Sequence, residues 1–563
     1  MARRAALRRR PPQRLSIGGP NAEGDPLLTA AFFHSRAYSA VDSPTDYKLF
    51  VIGRTGSGKS ALLRQLEEDE PEKVTRIRPS ELAFRYITNK NAIRMLLDLG
   101  VHLEPFFHEL WRHLILCQVV RHTYQHPTEE VKRSLFARLR RDQAANPKAA
   151  KRLASIDKLE ADFWTDLEEL THEQIDTLVE SIGAEAGLNA PGLPISLGGH
   201  GERTTTSETR VQLREKFQRV VNDQVVFQLR ALVTELAEST LESEQHFTYL
   251  VVDDLDLTWV EDSLANVLIK CLLQVALEMQ PTRHLKILIA LRTNVFEQLE
   301  VGREARGGQE EKLRSTAMIL HWTHRDLEDL VNLRLAAESQ RLHLPATLSL
   351  GNLLPGSSQH GIQPFRYILN RTLMRPRDVI QYLNDCLDLC ATERPRITWN
   401  LIKAVEPAYS RNRLEALRDE WKDPYYDIDR VFELFRGRPW SFDVATLYDV
   451  SENAALLLSE FAPSSEAAPF QGTAWLTPLC QRIWAAGAYR LSHLEQVRPL
   501  CELLFYIGFL GFASRPRQEA TYQYEPSDDF DEIYDSLGDD AECSVHPAFR
   551  LALRMVAPGG GSD

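Results

Sequence analysis

The octapeptide Gly53-Arg54-Thr55-Gly56-Ser57-Gly58-Lys59-Ser60 has the residue types and the spacing that wrap a polyphosphate. Its glycines let backbone N–H groups close around phosphate oxygens. Lys59 can reach β- and γ-phosphates, and the Ser60 hydroxyl is a Mg2+ ligand at the start of a helix whose N-terminus favours negative charge. A nucleoside triphosphate with Mg2+ is the expected ligand pair, held from Gly53 through Ser60 and Ala61. A second cluster of chemical groups, Asp253, Asp254 and Asp256, ends the apolar run from Phe247 to Val252. Carboxylates at the C-terminal end of such a run lie where a buried parallel strand opens onto a ligand crevice, so Asp253 is expected to hold Mg2+, directly or through water. Asp256 has three readings: orienting Asp254, pairing with an arginine, or capping the following helix.

The elements that must position these groups are legible around them. Tyr47 to Ile52 reads as a short buried strand before the loop, and Ala61 to Leu66 as the opening of the helix after it. Lys73 to Pro79 and Leu285 to Leu291 read as further strands, the latter stopping at Arg292-Thr293-Asn294. Either Thr293 or Asn294 suits the N-cap of a helix from Val295 to Leu299. Ala317 to Trp322 reads as a last strand of the sheet, with Thr323 capping a helix that includes Arg325 to Leu330. Roughly 190 residues separate the loop from the carboxylates, whereas a βαβ unit needs about 30, so an insertion lies between them. From about 123 to 206 the chain turns helical and charged, ending in a glycine-rich stretch with Pro191 and Pro194. A long amphipathic helix, Thr209 to Leu241, then leads towards the carboxylate strand as a core-facing element.

Composition narrows the class. At 563 residues and 43% hydrophobic content the chain can bury a large core and build several domains. Seven cysteines without C-x-x-C pairs or metal-ligand spacing predict no disulfides, no zinc and a reducing, cytoplasmic setting. The longest apolar stretch, around Leu110 to Val120, is interrupted by Arg112, His113 and Gln118 and is too short to span a bilayer, so no membrane partner is expected. The basic N-terminus reads as a disordered tail, because Pro11-Pro12 interrupts any transit-peptide helix. Formal net charge is −13, yet Lys132, Arg133, Arg138, Arg140, Arg141, Lys148, Lys151 and Arg152 crowd one helical region. From Asp427 onward acidic side chains outnumber basic ones about two to one, which argues against a phosphate-tracking surface there.

Resemblance adds specificity. The apolar run into Asp253 looks like a Walker B strand, and the strand ending at Arg292 resembles the sensor-1 strand of AAA+-like ATPases, where a polar end residue reads the γ-phosphate. Asp254 stands where related ATPases place the carboxylate that orients or deprotonates the attacking water, although most use Glu there. Arg375-Pro376-Arg377-Asp378 before an amphipathic helix ending at Leu383-Asn384 is similar to the N-P-R motif of KAP-type P-loop NTPases. Together with Asn21-Ala22-Glu23-Gly24-Asp25-Pro26-Leu27-Leu28, the loop, and Val252-Asp253-Asp254-Leu255-Asp256, the chain resembles bacterial KAP-related P-loop ATPases, relatives of AAA+ and STAND switch proteins. The likeness covers roughly residues 20 to 390. It implies that ATP is the nucleotide and that Arg377 opens a lid helix and acts like sensor 2, with Arg375 as a competitor where the family has asparagine. The membrane insertions of many KAP proteins are absent from the sequence pattern.

The expected architecture is therefore α/β: a disordered tail over 1–20, a P-loop NTPase domain with a parallel sheet over 21–345 carrying the helical insertion at about 123–206, a helical lid over 346–410, a winged-helix-like domain over 411–557 and a short tail over 558–563. The winged-helix reading rests on helices followed by a hairpin of Ile507–Phe512 with Thr521–Tyr524, closed by Val545 to Phe549. Lys59, Asp254, Arg292 and Arg377 are the expected catalytic residues, and Ser60 and Asp253 the metal ligands. Two functions stay open. One is an ATP-driven conformational or oligomeric switch that self-associates or releases a separate effector, as the resemblance implies for bacterial conflict and antiviral ATPases. The alternative is a DNA-binding or DNA-remodelling ATPase using the basic helix, which the overall acidity disfavours.

Overall fold

A computed structural model of the chain describes residues 15–79, 100–125, 247–255, 262–282, 284–299, 309–359, 361–390, 396–422, 425, 428–443, 446–450, 453, 493–513, 520–522, 530–537 and 541–558. The helix Thr209 to Leu241, the basic cluster, Asp256 and all but the first residues of the expected insertion lie outside this set. Two compact units divide the chain. One comprises Arg36–Gly53 and Leu62–Met318, the other Met1–Ser35, Arg54–Ala61 and Ile319–Asp563.

The first unit is a sheet covered by helices. In chain order its described elements are α1 (Arg36–Asp42), β1 (Phe50–Gly53), α2 (Lys59–Asp69, begun in the loop), β2 (Val74–Ile77), α3 (Glu104–Gln125), β3 (Thr248–Val252), α4 (Asp262–Met279), β4 (Leu285–Arg292), α5 (Thr293–Gln298), α6 (Gln309–Thr316) and β5 (Ala317–Ile319). The strands form a five-stranded parallel sheet in the order β2-β3-β4-β1-β5. β1 and β3 are buried throughout, which is why their sequences read as unbroken apolar runs rather than alternating ones. Helices α3 and α4 pack together, and the Trp111 indole N–H donates to the Leu268 carbonyl at 2.9 Å, satisfying the one polar atom of a fully buried ring.

Lys286 shows how an apparent misfit in β4 is accommodated. Its ammonium donates to the Ala40 and Ser43 carbonyls at 2.7 and 2.6 Å, so the strand carries the cation that closes the C-terminal end of α1. Burial still lowers its pKa to about 8. Two expected boundaries move. The first strand begins at Phe50 rather than Tyr47, because the Lys48 N–H is drawn into a turn by the Asp46 carboxylate at 2.8 Å. The helix after β4 begins at Thr293, so Thr293 and Asn294 occupy its first turn instead of capping it from outside.

The second unit is helical in its first part, with α7 (His324–Arg341), α8 (Leu350–Leu353), α9 (Pro364–Leu369), α10 (Pro376–Asp388) and α11 (Trp399–Trp421). Thr323 caps α7 as expected: its hydroxyl accepts from the Asp326 N–H at 3.1 Å while Asp326 accepts from the Thr323 N–H at 3.0 Å, a reciprocal capping box. Helix α10 runs to Asp388, a turn beyond the expected end at Asn384. Helix α11 passes through the domain boundary placed at 410/411. Ile402, Val405 and Tyr409 on its first half join the core of α7 and α10, whereas Leu417 and Trp421 join a second core downstream.

That second core belongs to α12 (Ile428–Glu433), β6 (Ser441–Asp443), α13 (His493–Tyr506), β7 (Leu510–Ala513), α14 (Phe530–Asp535), β8 (Glu542–Val545) and α15 (Pro547–Arg550). The strands form a three-stranded antiparallel sheet in the order β6-β8-β7. The expected pairing of Phe512 with Thr521 is present as an antiparallel bridge, the Phe512 N–H donating to the Thr521 carbonyl at 3.0 Å and the Thr521 N–H to the Phe512 carbonyl at 2.8 Å, while the other edge of β7 pairs with β8 from Leu510↔Val545 to Ala513↔Glu542. The β8 partner, distant in sequence, supplies Cys543 and Val545 to the core.

The end of the expected basic tail is also corrected. Ile17 is fully buried, and the Asn384 carboxamide accepts from the Ile17 N–H at 3.0 Å and donates to the Gly18 carbonyl at 2.8 Å. Arg334 on α7 donates to the Ile17 carbonyl at 2.9 Å and pairs with the Asp25 carboxylate at 2.7 Å, both side chains nearly inaccessible. Asp25 in turn accepts from the Gly19 and Leu27 N–H groups. This bolt ties the segment Ile17–Leu28 to the helices. We predict that Arg334→Ala, which strands a buried carboxylate, lowers unfolding free energy by about 3 kcal/mol. Urea denaturation of the variant checks this, and a loss below about 1 kcal/mol would show that the bolt is not needed.

Candidate functional site

The glycine-rich loop follows β1. Gly56 and Gly58 take φ of +81° and +100°, a conformation that a side chain resists. A Cβ at Gly56 would in addition stand 2.8 Å from Arg377 Cβ and 3.1 Å from its Cδ, so the arginine stem lies directly across the loop. The loop carbonyls are bonded one after another. Arg54 O accepts from the Ser57 N–H at 3.1 Å and from the Lys59 ammonium at 3.2 Å. Thr55 O accepts from Arg375 Nη1 at 2.8 Å, Gly56 O from the Arg377 N–H at 3.4 Å, and Ser57 O from the Trp322 indole at 2.8 Å. In a trans peptide the N–H points away from the preceding carbonyl. Fixing the carbonyls of Thr55 and Ser57 therefore turns the N–H groups of Gly56 and Gly58 to the other side, as an anion-binding nest requires, while the Ser57 N–H is engaged by the Arg54 carbonyl within the loop.

These donors come from specific places on the helices. Pro376 at the first position of α10 presets the helical φ and lacks an N–H, while Arg375 takes the extended N-cap conformation. The Arg377 N–H that reaches Gly56 is thus an otherwise unsatisfied amide of a helix N-terminus. The Arg377 guanidinium donates through Nε to the Pro20 carbonyl at 3.1 Å. Asp378 in the same turn is buried and pairs with Arg413 at 2.5 Å, and it also accepts from the Leu373 N–H at 3.2 Å.

Glu420, near the end of α11, completes the grip. Its carboxylate accepts from the Thr55 N–H at 3.2 Å and pairs with Arg375 at 3.2 Å and Arg54 at 3.7 Å. Arg54 also donates to the Ile507 carbonyl at 2.6 Å. Burial alone raises the Glu420 carboxyl, but Arg375, Arg54 and the Thr55 N–H together bring it down to about 2. Arg54 is pushed down to about 10, because its own burial and the neighbouring Arg375 outweigh Glu420. One carboxylate does not fully offset two buried guanidiniums. Arg375 Nε and Nη2, Thr55 Oγ1 and Ser57 Oγ are buried without a hydrogen-bond partner, polar capacity left over beside the loop.

In the sheet unit, parallel registry brings Gly53 opposite Arg292 and Val252 opposite Ile289, so β1, β3 and β4 deliver their C-terminal ends to one edge. β4 lies between β3 and β1, and Arg292 therefore emerges between the strand that ends at Asp253 and the strand that leads into the loop. Asp253 is 5% exposed. Its Oδ2 lies 3.4 Å from Arg76 Nη1, and its Oδ1 accepts from the Asp254 N–H at 3.0 Å. Asp254 has φ of +61°, a left-handed conformation that costs a non-glycine residue about 1 kcal/mol and that Asp tolerates better than most. Arg76 on β2 is held from its other side by Glu67 at 2.5 Å.

Loop residues Gly53 to Ala61 occupy one continuous turn into α2, with Lys59 and Ser60 in its first turn. Glu420, Trp322 and Arg76 were not found from the sequence. No motif marks them, and Glu420 lies 365 positions from the residue it holds.

Residues 325–418 match a family described as the FunZ-associated C-terminal helical domain. The match begins in α7 and ends within α11, and it includes Arg375 and Arg377. No curated protein matches the chain. Among the described residues no helix is long and apolar enough to cross a membrane.

The charge arrangement makes a pH prediction. A carboxyl whose pKa falls on folding from 4.5 to about 2 contributes stability that is fully present above 4.5 and lost as pH falls towards 2. Wild type should exceed Glu420→Gln in unfolding free energy by about 3 kcal/mol near neutrality, with the gap closing below pH 4.5. Urea titrations of both proteins at several pH values test it. A gap constant from pH 6 to pH 3 would mean that the charge of Glu420 is not what stabilises.

Proposed function

We propose that the chain is a Mg2+-dependent P-loop ATPase of the KAP-related type, whose nucleotide state drives a conformational or oligomeric switch. The observation that carries this reading is the loop itself: successive carbonyls engaged from outside, Gly56 and Gly58 left-handed, and the amides of those two glycines turned the other way. Such a cradle fits phosphate oxygens, and the buried, unpartnered Ser57 hydroxyl is consistent with a polar ligand beside it. Lys59 would exchange its bond to the Arg54 carbonyl for a phosphate oxygen, and the first turn of α2 would favour the added negative charge.

Ser60 and Asp253 are the proposed holders of Mg2+, with Arg76 keeping the Asp253 carboxylate oriented. The metal would supply charge neutralisation on the phosphates. Asp254 would orient the attacking water and draw its proton, and Arg292 would sense the γ-phosphate from the end of β4. Arg377 would couple nucleotide to shape, because its stem crosses the loop while its guanidinium is held by the Pro20 carbonyl. ATP gains a differential affinity for the closed form if it recruits that guanidinium. Self-association or a separate effector in a bacterial defence system, in the cytoplasm, completes the proposal on the strength of the resemblance. The basic helix that would favour DNA lies outside the described residues.

Lys59→Ala should abolish ATP binding. Asp254→Asn, which keeps a residue tolerant of the left-handed conformation, should bind ATP and lose at least about 100-fold in turnover. Calorimetric titration and phosphate release measure these, and wild-type ATP affinity in Lys59→Ala would end the reading. Arg377→Ala should bind ATP yet lack the ATP-dependent protection from proteolysis expected of wild type; equal protection in both would assign the coupling elsewhere.

A further inference from the structure

We propose that Arg375 and Glu420 form a clamp on Thr55 that positions the loop for any nucleotide, so that Arg375 is a positioning residue rather than a reader of the γ-phosphate. The inference rests on the nucleotide-binding reading above. Both backbone groups of Thr55 are taken by this pair: Glu420 accepts from its N–H at 3.2 Å and Arg375 donates to its carbonyl at 2.8 Å. The two side chains also pair with each other at 3.2 Å, closing a small ring of charge-assisted bonds around one residue. Arg375 is 7% exposed and Glu420 8%, so the ring is shielded from water.

The clamp sits on rigid parts. Arg375 is fixed as the residue before Pro376, whose ring restricts it to the extended conformation observed. Glu420 is fixed because Trp421 beside it is buried in the downstream core, and because Ser410 ties α11 to α15 by accepting from the Ala552 N–H at 3.0 Å and donating to the Ala548 carbonyl at 2.7 Å. The Arg54 side chain, held by Glu420 and Ile507, keeps the residue before Thr55 in place. Since Arg375 Nη1 is committed to the loop backbone and to Glu420, withdrawing it towards a γ-phosphate would release the peptide that shapes the cradle. A positioning role affects ADP and ATP alike, because both carry the phosphates nearest the loop. A γ-phosphate reader affects ATP alone.

The experiment measures dissociation constants of N-methylanthraniloyl-ADP and -ATP, with Mg2+, for wild type, Lys59→Ala, Arg375→Ala, Glu420→Ala and the double variant Arg375→Ala/Glu420→Ala. Each single variant should weaken both nucleotides by about tenfold, leaving the ATP-to-ADP affinity ratio within twofold of wild type. The double variant should fall well short of the product of the two losses, since the two side chains hold one residue. Glu420→Gln, which keeps an acceptor for the Thr55 N–H, should lose less than Glu420→Ala. Amide hydrogen exchange of the nucleotide-free protein should show faster exchange of Thr55 in both alanine variants. Loss of ATP binding with ADP binding intact in Arg375→Ala would overturn the proposal, as would multiplicative losses or unchanged exchange at Thr55. If wild type binds neither nucleotide and behaves as Lys59→Ala, the nucleotide reading itself falls, while the exchange measurement still decides whether the clamp exists.

Discussion

A glycine-rich loop has too much freedom to hold one shape by itself, and here the freedom is removed by bonding its carbonyls from outside. Arg375, the Arg377 N–H and the Trp322 indole each take one, and Lys59 takes another from within. The backbone direction of the loop is thereby set before any ligand arrives. Preorganised N–H groups need not be reoriented on binding, which is the physical basis for reading this loop as an anion cradle.

The helices can supply those donors because they are held in turn. Helix α11 contributes to two cores, so the carboxylate at its end is positioned by packing on both sides of the expected lid boundary. Buried charges recur along this part of the chain: Asp25 with Arg334, Asp378 with Arg413, Glu420 with Arg375 and Arg54. Each ionic pair carries a desolvation cost, and hydrophobic contacts of similar volume would stabilise as well or better. A carboxylate or guanidinium without its partner is strongly unfavourable, so dockings of the helices that separate these pairs are penalised.

At the sheet edge the same economy of structure appears in a smaller form. Asp253 ends a wholly buried strand, and its Oδ1 accepts from the N–H of the next residue, bending Asp254 into the left-handed region. Two adjacent carboxylates are thereby given different environments, one buried with an oxygen 3.4 Å from Arg76 and one half-buried on a left-handed backbone. Different environments allow different roles, as the proposed division between metal holding and water activation requires.

The sequence by itself determined the local features. Loop glycines, the strand–loop–helix order around them, the carboxylates after Val252, the capping box at Thr323 and the proline that opens α10 are all short-range patterns, governed by φ/ψ limits, periodicity and side-chain reach over a few residues. Tertiary structure alone decided that β8 joins β7 on the edge away from the Thr521 segment, since that pairing brings Cys543 and Val545 into the core from a part of the chain that no local pattern links to β7. It alone turned the end of the basic tail into a buried segment, because Arg334 and Asn384 offered partners that the tail's own composition does not reveal. It alone joined Thr55 to Glu420. Nothing in the local sequence distinguishes Glu420 from a solvated helix glutamate, and only the convergence of α10 and α11 on the loop removes water from around it and places two guanidiniums and an amide within its reach.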